Sequence, residues 1–296
     1  KAGVRAVRRQ GFQCFKVYYF SGKCDISSYV KAFTVRDHPL GLKAVQNPVQ
    51  TFGRLVCIQA DIKTMTLLGC YAQAVPTCLT VQNTLGVQRS IPIDAELVFD
   101  QAAVTMEDCM PQCVKIGIVP NLAIAHAIAE LLRKFKPKFC IFDPVLISSS
   151  GLSFVDNETY EFMLEELMPL CQLITPNLPE ARHLAQLGDA TADELAQYLY
   201  NKLKGTPVMV KGGHLPGSPT DYLFDGAIHK FQSERLNSHN THGTGCVLSS
   251  AIASYKAQGL ELKDAIAQAK QFLFNAIKQG ANYKHGNGCG PLYLVP

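Results

Sequence analysis

From Ile58 onward, short apolar runs alternate with segments of helical period, and that rhythm restricts the chain to a layered α/β architecture. Residues 70–75, 113–119, 139–142, 171–175 and 207–210 read as strands; residues 60–68, 95–107, 158–167, 192–204, 243–258 and 262–279 read as helices. Leu122, Ala125, Ile128, Leu132 and Phe135 recur at helical spacing until Pro137 stops the helix. Residues 222–224 and 228–232, parted by Asp225-Gly226, read as a hairpin. Such alternation means βαβ units, hence a three-layer α/β fold: a mostly parallel central sheet with helices on both faces. Ligands bind such sheets beyond the carboxyl ends of the strands, so the polar residues just after each strand are the ones to examine.

Composition excludes several classes. Of 296 residues, 47% are hydrophobic and 18% charged, which rules out collagen-like, low-complexity and wholly disordered chains. No run of about 18 uncharged apolar residues occurs, so no membrane helix is expected. No signal-peptide pattern follows Lys1, and eleven cysteines lie scattered without a CxxC pair. Thiols in a reducing cytoplasm fit that better than a disulfide framework or a zinc site.

The net charge of +4 is unevenly spread. Residues 1–57 hold ten basic residues against Asp25 and Asp37, a net +8, which leaves −4 for residues 58–296. This first segment is weakly periodic and clusters aromatics at Tyr18, Tyr19 and Phe20. It reads as an Arg-rich presequence, a basic arm for nucleic acid or an anionic surface, a stretch foreign to the functional protein, or a folded cap. The expected organisation is a basic N-terminal segment, 1–57, and an α/β domain, 58–296.

The densest local signal is Asn240-Thr241-His242-Gly243-Thr244-Gly245-Cys246 at the start of an Ala/Ser-rich helix. A Gly-Thr-Gly turn there aims free backbone N–H groups at one point, and the helix dipole adds positive charge. Phosphate fits such an anion hole. Cys246 falls in the first helical turn, where the dipole lowers a thiol pKa, so it is expected to act as a base on a substrate hydroxyl. A buried structural cysteine after a tight turn is the plainer alternative. His242 is expected to serve through its backbone.

Three strand ends add to this. Lys211, before Gly212-Gly213, offers a point charge for polyphosphate, or is a snorkelling surface lysine. Asn177 and Glu180 follow another strand and also have capping-box spacing. Asp143 closes a third, where an acid can hold magnesium or its waters. An acid, an Asn/Glu pair, a lysine and an anion hole together point to a nucleotide-dependent phosphotransferase.

Residues 58–296 resemble the hydroxymethylpyrimidine/phosphomethylpyrimidine kinases of thiamine biosynthesis, within the ribokinase-like superfamily. The segments that carry the resemblance are Ile58-Gln59-Ala60-Asp61-Ile62-Lys63-Thr64, Val81-Gln82-Asn83-Thr84, Lys115-Ile116-Gly117-Ile118, Asp143-Pro144-Val145, residues 174–181, residues 210–214 and residues 240–246. Residues 286–290, before Pro291, resemble the family's closing Gly-Pro motif.

The resemblance implies a ribokinase-like fold, ATP and Mg²⁺ as cofactors, and phosphorylation of 4-amino-5-hydroxymethyl-2-methylpyrimidine and its monophosphate. It implies that Asp61 and Gln82 contact the pyrimidine ring and that Ile118 and Val145 wall it. Gly243, Thr244, Gly245 and Cys246 form the catalytic turn. Lys211, Asn177 and Thr244 hold nucleotide, and Asp143 and Glu180 face the metal. The expected partners are a small-molecule substrate and a second copy in a homodimer, with no nucleic acid and no membrane. Pyridoxal kinase is the alternative activity; relatives with it often carry a lid cysteine where this chain has Ser148-Ser149-Ser150.

One departure stands out. The family opens with an apolar strand and a glycine-rich loop of the Gly-Gly-Ala-Gly type directly before Ile-Gln-Ala-Asp. Residues 47–57 fill that place with a single glycine. The first strand and its loop are therefore expected to be replaced, which raises the alternative of a catalytically impaired relative.

Overall fold

One nine-stranded sheet organises the described residues, 47–146, 155–213 and 217–295 of this computed structural model. They belong to one compact unit, Lys43–Pro296. The segment before Asn47, Ser148 to Ser150, and His214 lie outside the described residues. Six parallel strands form the centre of the sheet. In spatial order these are β2 (Cys70–Asn83), β1 (Asn47–Arg54), β4 (Cys113–Ile116), β5 (Phe139–Phe142), β6 (Leu173–Ile174) and β7 (Val208–Val210). The edges are antiparallel: β3 (Gly86–Pro92) pairs with β2, and β8 (Thr220–Phe224) joins β7 to β9 (Ile228–Gln232).

Side chains alternate across the sheet, and this assigns the helices to faces. Val114, Ile116, Cys140 and Phe142 pack in one apolar layer with α2 (Ala95–Asp108), α3 (Leu122–Phe135), α5 (Leu178–Ala185) and α6 (Ala192–Lys202). Val49, Cys113 and Ile141 face the other layer with α7 (Thr244–Ala257) and α8 (Leu262–Gly280). Helix α1 (Leu55–Leu67) joins this second layer through Met65. The short α4 (Asn157–Phe162) precedes a π turn and a 3-10 turn. Helix α3 shows how local sequence sets a boundary. Asn121 accepts from Ile124 N, six residues are buried on one face, and Lys136 ends the helix in a left-handed conformation before Pro137. The expected three-layer, mostly parallel α/β architecture is what the chain adopts.

The expected replacement of the first strand is observed, and the substitute is a full strand. Asn47–Arg54 is a central strand, parallel to β2 from Asn47↔Cys70 onward and to β4 from Val49↔Cys113 to Phe52↔Ile116. Its ladder depends on backbone groups, so an unusual side-chain set still pairs: Val49 is buried in apolar surroundings, while Gln50 and Thr51 are buried polar residues. The glycine loop is what is missing, because α1 starts at Leu55, directly after Arg54. The sheet thus takes in residues that precede Ile58. Two further elements differ from expectation: β2 runs on to Asn83, and the polar edge strand β3 pairs with it.

Candidate active site

Helix α7 begins near the carboxyl ends of β5 and β7. Gly243 caps it with φ 87°, a left-handed backbone that suits glycine and turns the first amides outward. A methyl group on Gly245 would sit 3.1 Å from Lys211 Nζ and 3.7 Å from Asp143 Oδ2. Glycine there lets an ammonium and a carboxylate reach the helix start. Lys211, just after β7, pairs with Asp143, just after β5. Asp143 is 1% exposed and also accepts from Thr175 Oγ1 and Ser249 Oγ, each at 3.2 Å. Burial alone would raise its carboxyl, but the charges of Lys211 and Lys115 outweigh that and hold it below the usual carboxylate range. The same pairing keeps Lys211 protonated: burial opposes its charge, and Asp143 and Glu180 more than restore it.

Asn177 caps α5, and the capping box read from sequence is present. Glu180 N donates to Asn177 Oδ1 and Asn177 N to Glu180 Oε2, both at 2.8 Å. The backbone of Asn177 bridges that of Lys211, whose N–H donates to Pro176 O at 2.8 Å. Burial pushes Glu180 up to about 7, partly opposed by Lys211. Asp143, Asn177, Glu180, Lys211 and the turn at 243–246 therefore converge, as their positions after strands implied. A cleft of about 390 Å³ opens beside them, lined by Asn177, Lys211, Thr244 and Gly245 and by the apolar Leu273 and Phe274. Its wall also holds a pair that sequence reasoning missed. Asp221 accepts from Gly212 N at 2.8 Å and from Lys270 Nζ at 2.6 Å, which pins the turn after Lys211.

Gln82 lies on the other side. It pairs with Val87 across β2 and β3 and lines a pocket of about 220 Å³ with Thr84, His242 and Cys289. Val87 packs with Cys78, Ile118 and Val145, so Gln82 and the two expected wall residues share one neighbourhood. The closing motif fastens this pocket to the start of α7: Asn287 N and Gly288 N donate to Thr84 Oγ1 at 3.2 Å, and His242 N donates to Gly290 O at 3.0 Å. His242 makes this bond through its backbone, and it lines the pocket as well.

Two expectations about individual side chains fail. Asp61 does not face the ring pocket. It is 0% exposed, and its oxygens accept from Lys115 Nζ (2.9 Å), Thr51 Oγ1 (2.8 Å) and Ser250 Oγ (2.7 Å). The buried Lys115 consumes its charge. Nor is Cys246 a ready thiolate: its Sγ lies 3.2 Å from Cys57 Sγ, and that hydrogen bond and burial push the thiol up, against the pull of Lys115. Cys57 and Asp61 stand four residues apart on α1, and Cys246 and Ser250 four apart on α7. The two helices thus meet in two successive rungs, thiol to thiol and carboxylate to hydroxyl. Lys115 stood in sequence only within a segment that carries the resemblance and was given no role, because a lysine inside a strand reads as a solvent-facing residue.

These geometries have counterparts among known proteins. Residues 57–292, most of the chain, match the phosphomethylpyrimidine kinase family. The chain belongs to that family. The thiamine biosynthesis bifunctional protein of Geobacter sulfurreducens is 40% identical over 78% of the chain, and the chain spans only 48% of that longer relative. The hydroxymethylpyrimidine/phosphomethylpyrimidine kinase of Rhizobium meliloti is 38% identical over 80% of the chain and 90% of its own length. Among solved structures, the phosphomethylpyrimidine kinase of Clostridium difficile 630 aligns with TM-score 0.69 and 34% identity, covering 78% of this chain and all of that one. An ADP complex of Bacillus subtilis pyridoxal kinase aligns with TM-score 0.74 and 26% identity, covering 83% and 96%. The phosphomethylpyrimidine kinase family accordingly shares its fold with pyridoxal kinases.

Proposed function

We propose that the chain transfers the γ-phosphoryl group of ATP to 4-amino-5-hydroxymethyl-2-methylpyrimidine and then to its monophosphate, in thiamine biosynthesis. The observation that carries the reading is the meeting of Lys211, Asp143 and the turn at 243–246 between a nucleotide-sized cleft and the pocket of Gln82. The amides of residues 243–246 stabilise the charge that develops on the transferred group, and Lys211 adds a fixed positive charge. Gln82 offers both donor and acceptor to the ring edge, against the apolar Ile118 and Val145. Cys246, once its own proton has been lost to solvent, takes the proton of the hydroxymethyl group as a thiolate. Because its thiol is pushed up, this step gains as pH rises.

Mg²⁺ fits these residues in a restricted way. Asp143 already accepts from Lys211, Thr175 and Ser249, and no cluster of three metal-ligating side chains exists among the described residues. Asp143 and Glu180 would therefore hold the ion through its waters, with phosphate oxygens as its main ligands. The ion supplies charge neutralisation there. The reading extends to a cytoplasmic homodimer that acts on small molecules without nucleic acid or membrane. Eleven cysteines scattered without a CxxC pair support the compartment, and exposed apolar residues on β2 and β3 support the second copy. No described helix is long and apolar enough to cross a membrane.

Steady-state assays with ATP and each acceptor test the activity. The pyrimidine is expected to give the higher kcat/KM, and Cys246→Ala to lower kcat by about 10²–10³-fold with unchanged unfolding. Preference for pyridoxal would change the substrate class. Nucleotide binding without turnover on either acceptor would mark the chain as impaired by its missing glycine loop.

A further inference from the structure

Cys57 takes no part in the chemistry above, yet it occupies the position where the family pattern has glycine, immediately before Ile58-Gln59-Ala60-Asp61. We propose that Cys57 and Cys246 are a dithiol oxidation site, and that a reversible disulfide between them switches the active site off.

The thiols do not meet by chance. The rung below them joins Asp61 to Ser250, and that rung is clamped from the sheet by Lys115 and Thr51; these three partners lie within hydrogen-bonding distance of Asp61 and, like it, are fully buried. The spacing of α1 and α7 is thereby fixed one turn away from the sulfurs. Holding two reacting groups in this way makes their reaction effectively unimolecular. The two sulfurs, each on a residue 6% exposed, sit 3.2 Å apart and need to close by roughly an ångström to bond. One other thiol pair this close is described, Cys140 and Cys171 at 3.5 Å, which lies in the opposite helical layer and serves as an internal control.

The chemistry needs a two-electron oxidant of the diazene or peroxide class. With diamide, the sulfur of one cysteine adds to one nitrogen of the N=N bond, and its proton goes to the other nitrogen. The second sulfur then attacks the first, the S–S bond forms, the S–N bond breaks, and the second proton goes to the departing nitrogen. Two thiols are oxidised and one diazene is reduced to a hydrazine; hydrogen peroxide takes the same two electrons and two protons and leaves two waters. The oxidised chain has no thiol at position 246 and carries a covalent staple in the first turn of α7.

The experiment treats the reduced full-length chain with diamide and follows turnover alongside non-reducing peptide mass spectrometry. Expected are a cross-linked peptide containing Cys57 and Cys246, a loss of turnover of more than about tenfold, and recovery of both on adding dithiothreitol. Cys57→Ser, with Cys57→Ala as a second variant, should keep its turnover under diamide, while Cys171→Ser should behave as the parent chain. Absence of the 57–246 cross-link, a cross-link without loss of turnover, or equal inactivation of both Cys57 variants would each overturn the proposal. Only the effect on turnover rests on the function proposed above. The cross-link is read without any assay of activity, so the two readings fail separately.

Discussion

Glu180 shows how a local cap and a functional role coexist in one side chain. Its carboxylate closes the capping box of α5, yet burial pushes its pKa from 4.5 up to about 7, with Lys211 opposing only in part. Between about pH 4.5 and 7 the folded chain holds a proton at this position that the unfolded chain has released. Stability from this group is therefore lost as pH rises through that window. A cation beside the carboxyl reverses the preference and expels the proton. Binding of Mg·ATP at pH 6.5 is expected to release protons, and Glu180→Gln to abolish the release. Calorimetry in two buffers of different ionisation heat measures this, and identical heats for the parent chain would contradict it. At Cys246, the dipole of α7 favours a thiolate, but a neighbouring sulfur and loss of solvent act more strongly, which is why position in a helix was a poor guide to its protonation.

At the scale of elements, β1 carries the largest departure from a well-built core. Gln50 is 0% exposed, and among the described residues its Nε2 has no hydrogen-bond partner, while its Oε1 receives a 3.3 Å bond from Thr105 Oγ1. That hydroxyl also reaches Gln101 O at 2.9 Å and Ala102 O at 3.0 Å, so it does not depend on the glutamine. Gln50→Leu should raise stability by about 1–2 kcal/mol, read as a higher urea midpoint with the same slope. On the other face, Lys115→Met strands the Asp61 carboxylate and should cost about 3–5 kcal/mol. Adding Asp61→Leu to that variant should recover much of the loss, a coupling that a double-mutant cycle resolves.

These same residues mark the limit of what sequence alone disclosed. Strands ending in Asp143, Asn177 and Lys211 were legible because apolar runs stop sharply at polar residues, and the α5 cap because its spacing is local. Strand β1 was obscured by Gln50 and Thr51, which interrupt the apolar run a central strand usually shows. Edge strand β3, Gly-Val-Gln-Arg-Ser-Ile-Pro, lacks alternation for a similar reason. Asp61 with Lys115 and Cys57 with Cys246 are joined across 54 and 189 residues, and no local pattern announces a contact made only by packing helices against a sheet.

For the molecule as a whole, the edge formed by β2 and β3 is the surface most in need of a cover. Leu79 and Ile91 face each other across the strands at 43% exposure each, and Val81 continues the same face at 45%. A two-fold copy would bury this patch against itself. Replacing both Leu79 and Ile91 with lysine should convert a dimer to a monomer in sedimentation velocity while leaving thermal unfolding of the single chain nearly unchanged; a monomer in the parent chain would remove the second copy from the reading. The strands that bear Gln82 are themselves fastened by the late loop at residues 286–290, through Thr84 on one side and His242 on the other. During synthesis this loop leaves the ribosome after the last helix, α8, so the strands that bear Gln82 are the last part of the molecule to be latched, once residues 286–290 have emerged and reached Thr84 and His242.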